Sequence, residues 1–243
     1  MTIKIELVSH TPDPELTVAL AARSCVRDLE LSDVRAELSA EDVARLIATV
    51  IAKGHHSVLE HVSFTFAISG VSRVLSHQLV RHRIASYSQL SQQRVDSSNL
   101  SYAIPPEVRA HPELCREYEE VMEQCLKLYQ RMTEQGLPKG SSRYALPSGF
   151  TTRVLMTMNA RSLFNLIEQR LCAAEEWEFR QVAALLHRRL MDVAPAIFRF
   201  AGTPCETEGT CLEGEVGNRC GRQRVTKARI SNTRSEIDAK LGR

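Results

Sequence analysis

Residues Val62 to Ser69 alternate Val, Phe, Phe and Ile with Ser, Thr and Ala, and directly after Gly70 the apolar period lengthens to three and four. Alternation puts every second side chain on one face of a strand, whereas the longer period lines one face of a helix. A chain that changes period this abruptly is committed to packing a sheet and helices around shared apolar surface, and an α/β fold is predicted. The alternation recurs in Ile3 to Val8 and in Val154 to Met158, both read as strands.

The helical period recurs as well. Pro12 and Pro14 precede a helix from about Glu15 to Val26. Ser39 with Asp42 three residues on is a capping box for a second helix carrying Val43, Leu46, Ile47, Val50 and Ile51, and Gly54 closes it. Gly70 is expected to break the strand before a helical stripe of Val71, Val74, Leu75, Gln78 and Leu79. A polar segment from Ser86 to Ser101 follows, and Pro105-Pro106 then opens one long helix to about Gln135. Leu146-Pro147-Ser148-Gly149 reads as a turn, and two more helices are expected over 160–172 and 175–193. Beyond Gly202 the apolar period is lost. The expected organisation is one domain over 1–202 and a Cys-containing basic tail over 203–243.

Composition narrows the function classes. Apolar residues are 43% of the chain, enough for a core that needs no metal or disulfide. The formal charge of +2 argues against a general polyanion binder. It hides an imbalance: 25 of the 31 basic residues are Arg, the residue suited to bidentate carboxylate and phosphate recognition. Residues 219–243 hold eight basic and two acidic residues. No apolar run is long enough to cross a bilayer, and the N-terminus does not suit a signal peptide. Seven Cys without framework spacing suggest free thiols in a reducing cytoplasm.

Three clusters could carry chemistry. Arg81-His82-Arg83 is followed by a run of hydroxyls and amides through Ser91, a combination that suits phosphate oxygens or, equally, a solvated basic helix end. Gly54-His55-His56-Ser57 runs on to Glu60-His61, but its spacing fits neither common zinc helix motif, so no metal site is assigned. Asn159-Ala160-Arg161 leads into a helix on which Arg161 and Asn165 share a face. Arg170 falls on or beside the apolar stripe of that helix, where it either snorkels or meets a buried anion. Cys172 reads as core. Cys205, Cys211 and Cys220 lack CxxC spacing and are a weak metal signal. Neither a Rossmann fingerprint nor a Walker loop is present.

Arg81-His82-Arg83, seven residues and then Ser91 resemble the R-H-R-(x)7-S signature of the flavin-dependent thymidylate synthases. Gly54-His55 with Glu60-His61, Arg143 with Leu146-Pro147, and Thr157 to Arg161 through Arg170 resemble further family blocks in the same order. Together they cover most of residues 20–190. The resemblance implies the family's α/β fold, a mixed sheet flanked by helices, and a homotetramer with shared active sites. It also implies FAD as cofactor, NADPH as reductant, methylenetetrahydrofolate as carbon donor and dUMP as acceptor. By position, Ser57, Arg81, His82, Arg83, Gln89, Asn159, Ala160, Arg161 and Asn165 match flavin contacts, and His55 an active-site histidine. Gln78, Leu79, Val80, Arg81, Gln89, Leu90, Ser91, Gln92, Gln93, Arg94, Arg143 and Arg170 match nucleotide contacts. Arg170 is the implied catalytic guanidinium at the pyrimidine edge.

Two departures fall in the nucleotide set. Gln93 stands where the family usually has Arg, and Arg94 is displaced by one. Lys139-Gly140-Ser141-Ser142 stands where acidic residues are common. The second reading is therefore the same chemistry on UMP, with Gln93 able to accept a 2′-hydroxyl. A third is a non-catalytic nucleic-acid binder using the Arg clusters and the tail.

Overall fold

A computed structural model describes residues 2–25, 35–94, 100–209, 211 and 220. Most of the basic tail lies outside the described residues. The chain forms two compact units, each built from two segments: Met1–Ser9 with Phe64–Met158, and His10–Ser63 with Asn159–Arg243.

The first unit carries the sheet. Its strands are β1 (Lys4–His10), β2 (Ser63–Ser72), β3 (Ala85–Gln89) and β4 (Thr151–Asn159), in the order β1-β2-β4-β3. The resemblance implied a mixed sheet; this one is antiparallel. Neighbouring strands are joined by long connections, residues 11–62 between β1 and β2 and 90–150 between β3 and β4. Phe64, Phe66 and Ile68 of β2 are fully buried, as are Val154, Met156 and Met158 of β4, so the alternating residues form one dry face. Burying each large apolar side chain is worth about 1.5–3 kcal/mol.

The strand does not stop at Gly70. β2 runs on to Ser72, with Val71 buried in it, and the helix begins only at Arg73. Gly70 adopts φ +73° inside the strand, and a Cβ there would lie 2.7 Å from the Thr2 carbonyl oxygen. The glycine thus admits a close backbone approach and does not terminate pairing. The Ser72 side chain accepts from the Leu75 amide and caps the helix α3 (Arg73–Leu79).

Part of the polar segment is also a strand. β3 pairs antiparallel with β4, Ala85 opposite Met158 and Gln89 opposite Val154. It lies at the sheet edge with Ser86 and Ser88 exposed, so it needs no apolar alternation. The single long helix is in fact two, α4 (Pro106–Arg109) and α5 (Pro112–Glu134). Pro112 lacks the N–H that would continue the first into the second. A short α6 (Lys139–Ser142) and a 3₁₀ turn Arg143–Ala145 precede β4.

The second unit is helical. It holds α1 (Pro14–Ser24), α2 (Ala40–Ala52), a 3₁₀ helix His56–His61, α7 (Ala160–Arg170), α8 (Trp177–Val193), α9 (Pro195–Phe198) and α10 (Pro204–Thr207). The Ser39–Asp42 capping box is formed at the start of α2. α7 packs on both the 3₁₀ helix and α8. Leu163, Leu166 and Ile167 meet a core that includes Phe179, Val182 and Leu186. Cys172 is not core; it sits half-buried in the loop after α7. Cys205 is buried in α10, within the segment expected to be irregular.

Candidate active site

The expected site residues divide between the two units. In the first, α3 ends in a short irregular stretch that carries Arg81, His82 and Arg83. Arg81 and Arg83 are exposed and His82 is buried. Leu79 is fully buried, so what it offers at a surface is backbone. Ile84 directly follows the basic triplet at φ +63° and is 76% exposed. A β-branched residue in the left-handed region is strained, and such strain concentrates at ligand sites.

This stretch is tied down from β3. The Tyr87 hydroxyl donates to the carbonyl oxygens of Leu79 and His82, 2.8 Å from each. Burial pushes the Tyr87 phenol well up, so it stays a neutral donor. Gln89 Nε2 donates to Ser76 Oγ at 2.8 Å and to Thr152 Oγ1 at 3.4 Å, which fixes the amide plane. Ser91 Oγ accepts from the Gln93 amide at 3.4 Å. Gln92 is buried, while Gln93 and Arg94 are exposed on the next 3₁₀ turn.

Arg73 is a residue the sequence reading missed. Burial, with the positive charge of Arg143 beside it, holds its guanidinium below the usual arginine range. Neither Arg73 nor Arg143 has a carboxylate partner among the described residues. A guanidinium can donate charge-assisted hydrogen bonds to an anion. The available signal was the Arg beginning the helix that leads into the basic triplet. The two departures in the nucleotide set also meet: a Cβ on Gly140 would lie 3.2 Å from Gln93 Nε2.

In the second unit, His55 and Ser57 are exposed at the start of the 3₁₀ helix. His56 stands 6.4 Å from the Phe164 ring between centroids. Asn159 Oδ1 accepts from the Ser162 amide at 2.8 Å and caps α7, and the buried Ala160 donates its amide to Val62. Arg161 Nη1 donates to Glu60 Oε1. Both side chains are about half exposed, so the pair is weak and can exchange its carboxylate for another anion. Asn165 Oδ1 accepts from Gln169. Arg170 meets an anion and does not merely snorkel: its Nη1 donates to Glu175 Oε2. Among the described residues no group of three or more His, Cys, Asp or Glu could hold a metal ion.

Arg81 and Arg83 are exposed cations beside a strained backbone, and Arg161 holds only an exchangeable partner. Hydroxyls and ordered amides lie close by in sequence.

Residues 6–196 match the model of the family described as thymidylate synthase complementing protein. The chain is 43% identical over 227 residues to a flavin-dependent thymidylate synthase of Geobacter sulfurreducens, covering 93% of this chain and 97% of that one. It is 37% identical over 238 residues to the enzyme of the same name from Clostridium tetani, covering 91% and 94%. With that of Nitratidesulfovibrio vulgaris it shares 39% identity over 232 residues, covering 90% and 94%.

Proposed function

The chain belongs to the flavin-dependent thymidylate synthase family, and from that membership we propose that it methylates uracil C5 of dUMP to give dTMP. Methylenetetrahydrofolate would supply the carbon and NADPH the reducing equivalents. The observation that carries the reading is the family match over residues 6–196, a span that contains every proposed site residue from His55 to Arg170. FAD, when bound, would supply the hydride that completes the methyl group.

The residues have distinct tasks in this proposal. Arg81, Arg83 and Arg161 hold the phosphates and edges of FAD, with Ser57, His82, Asn159, Ala160 and Asn165 completing its seat. His55 lies beside the isoalloxazine. Arg73 and Arg143 take the nucleotide phosphate, a charge-assisted contact. Gln89, held flat by Ser76 and Thr152, orients the pyrimidine, with Gln78 to Arg81 and Leu90 to Arg94 lining the same pocket. Arg170 stabilises the negative charge that makes C5 nucleophilic. No cysteine nucleophile is required.

The second reading is UMP as acceptor. It is favoured by Gln93 standing where Arg is usual and by its packing against Gly140, which leaves an amide at a position otherwise cationic. Parallel turnover assays with dUMP and UMP decide. Production of dTMP alone, from yellow protein, supports the first reading; 5-methyl-UMP supports the second. Colourless protein that takes up no added FAD overturns both.

A homotetramer with shared active sites belongs to the same proposal, and light scattering against the 27.3 kDa chain mass tests it. No helix among the described residues is long and apolar enough to cross a membrane. We take the setting to be the cytoplasm, where the free cysteines stay reduced.

A further inference from the structure

We infer that Glu175 is a positioning residue: with Phe179 it fixes the guanidinium of Arg170 in the orientation that the reaction uses. The inference rests on the proposed role of Arg170 at the pyrimidine edge.

Arg170 is the last residue of α7, where a long side chain at a helix end has many rotamers to choose from. Two contacts from beyond the helix remove that choice. Glu175 Oε2 accepts from Nη1, and the Phe179 ring lies under the guanidinium with its centroid 4.7 Å from Cζ. The carboxylate sets the direction of one edge, and the ring sets the plane. Both side chains of the ion pair are largely out of water, at 22% and 16% exposure, and Phe179 is fully buried.

The clamp is itself anchored. Glu175 Oε1 accepts from the Glu176 amide at 2.9 Å, so neither carboxylate oxygen is left to rotate. The loop between α7 and α8 is held by Arg180, whose Nη1 donates to the Ala173 carbonyl oxygen at 2.9 Å. A guanidinium oriented before substrate arrives does not have to be ordered by it, which is the benefit of preorganised electrostatics. An ion pair serving only to close the loop would require neither the stacked ring nor a doubly engaged carboxylate.

The test uses the full-length holoenzyme, with FAD content, melting temperature, kcat and KM for the nucleotide measured in each variant. Glu175→Ala is expected to keep FAD and to lower kcat about tenfold or more, with KM changed less than about threefold, because a misplaced catalytic group costs rate. Glu175→Gln, which retains an acceptor oxygen, should restore kcat to within about threefold of the parent. Phe179→Leu keeps apolar volume without the ring and should lower kcat several-fold; it also serves if Glu175→Ala does not fold. A lowered melting temperature with unchanged kcat in the folded Ala and Leu variants overturns the inference in favour of a purely structural pair. Arg170→Ala separates the two levels. If it retains turnover, the role of Arg170 fails; if it loses turnover while Glu175→Ala keeps it, only the positioning role fails.

Discussion

The Tyr87 hydroxyl lies 2.8 Å from the carbonyl oxygens of both Leu79 and His82, so one phenol on β3 holds the backbone on which Arg81 and Arg83 are mounted. Tyr87→Phe leaves two part-buried carbonyls without that donor. It should cost about 1 kcal/mol of stability. FAD affinity should fall with it, read by flavin titration. Burial raises the phenol pKa above its unfolded value, so its contribution is complete below about pH 10 and is lost as pH rises beyond that. Thermal melts of parent and variant should therefore converge at strongly alkaline pH.

Burial and the positive charge of Arg143 both bear on Arg73, which is proposed to hold the nucleotide phosphate. Arg73→Gln is expected to raise KM for the nucleotide about tenfold while leaving FAD content unchanged, since a charged hydrogen bond is worth about 1.5–3 kcal/mol. The salt dependence of KM should weaken in the variant. An unchanged KM would remove Arg73 from the phosphate site.

Gly70 has no room for a side chain, at φ +73° and with the Thr2 carbonyl oxygen 2.7 Å from a built Cβ. Gly70→Ala should destabilise the protein by about 2 kcal/mol or more. Chemical denaturation reads this directly. Gly136→Ala meets nothing within 4 Å and should cost less, although its φ of +81° is also unfavourable.

Ser39 caps α2, and its loss to Ala should cost about 1 kcal/mol. Hydrogen bonds from the Ser39 side chain and amide hold the Asp42 carboxyl below its usual pKa. A depressed carboxyl stabilises above its unfolded pKa, near pH 4, and that contribution is lost as pH falls through the folded value. Asp42→Asn should thus be destabilised relative to the parent at neutral pH, and the difference should shrink as pH falls below the unfolded carboxyl range.

Local chemistry was legible. The Ser39–Asp42 box, the buried alternation of β2 and β4 and the amphipathic α7 depend on neighbours in the chain, and the residues themselves disclose them. So do the basic triplet and its hydroxyl run, whose spacing carried the family resemblance. The split of the long helix has its local cause in Pro112, although the flanking apolar period reads through it.

What remained was decided at a distance. β3 looks like a polar loop because an edge strand half in water needs no apolar face, and only β4 beside it makes it a strand. Arg73 gains meaning from Arg143, seventy residues later in the chain, and Gln93 from Gly140. Arg170 could have snorkelled or met an anion; the turn between α7 and α8 chose by bringing Glu175 and Phe179 to it. The sequence by itself determined which segments could be strand or helix and which family's chemistry they carry, because propensity and spacing act over a few residues. Only the tertiary structure decided which charges face one another, because Coulombic and hydrogen-bonding energies depend on separation in space.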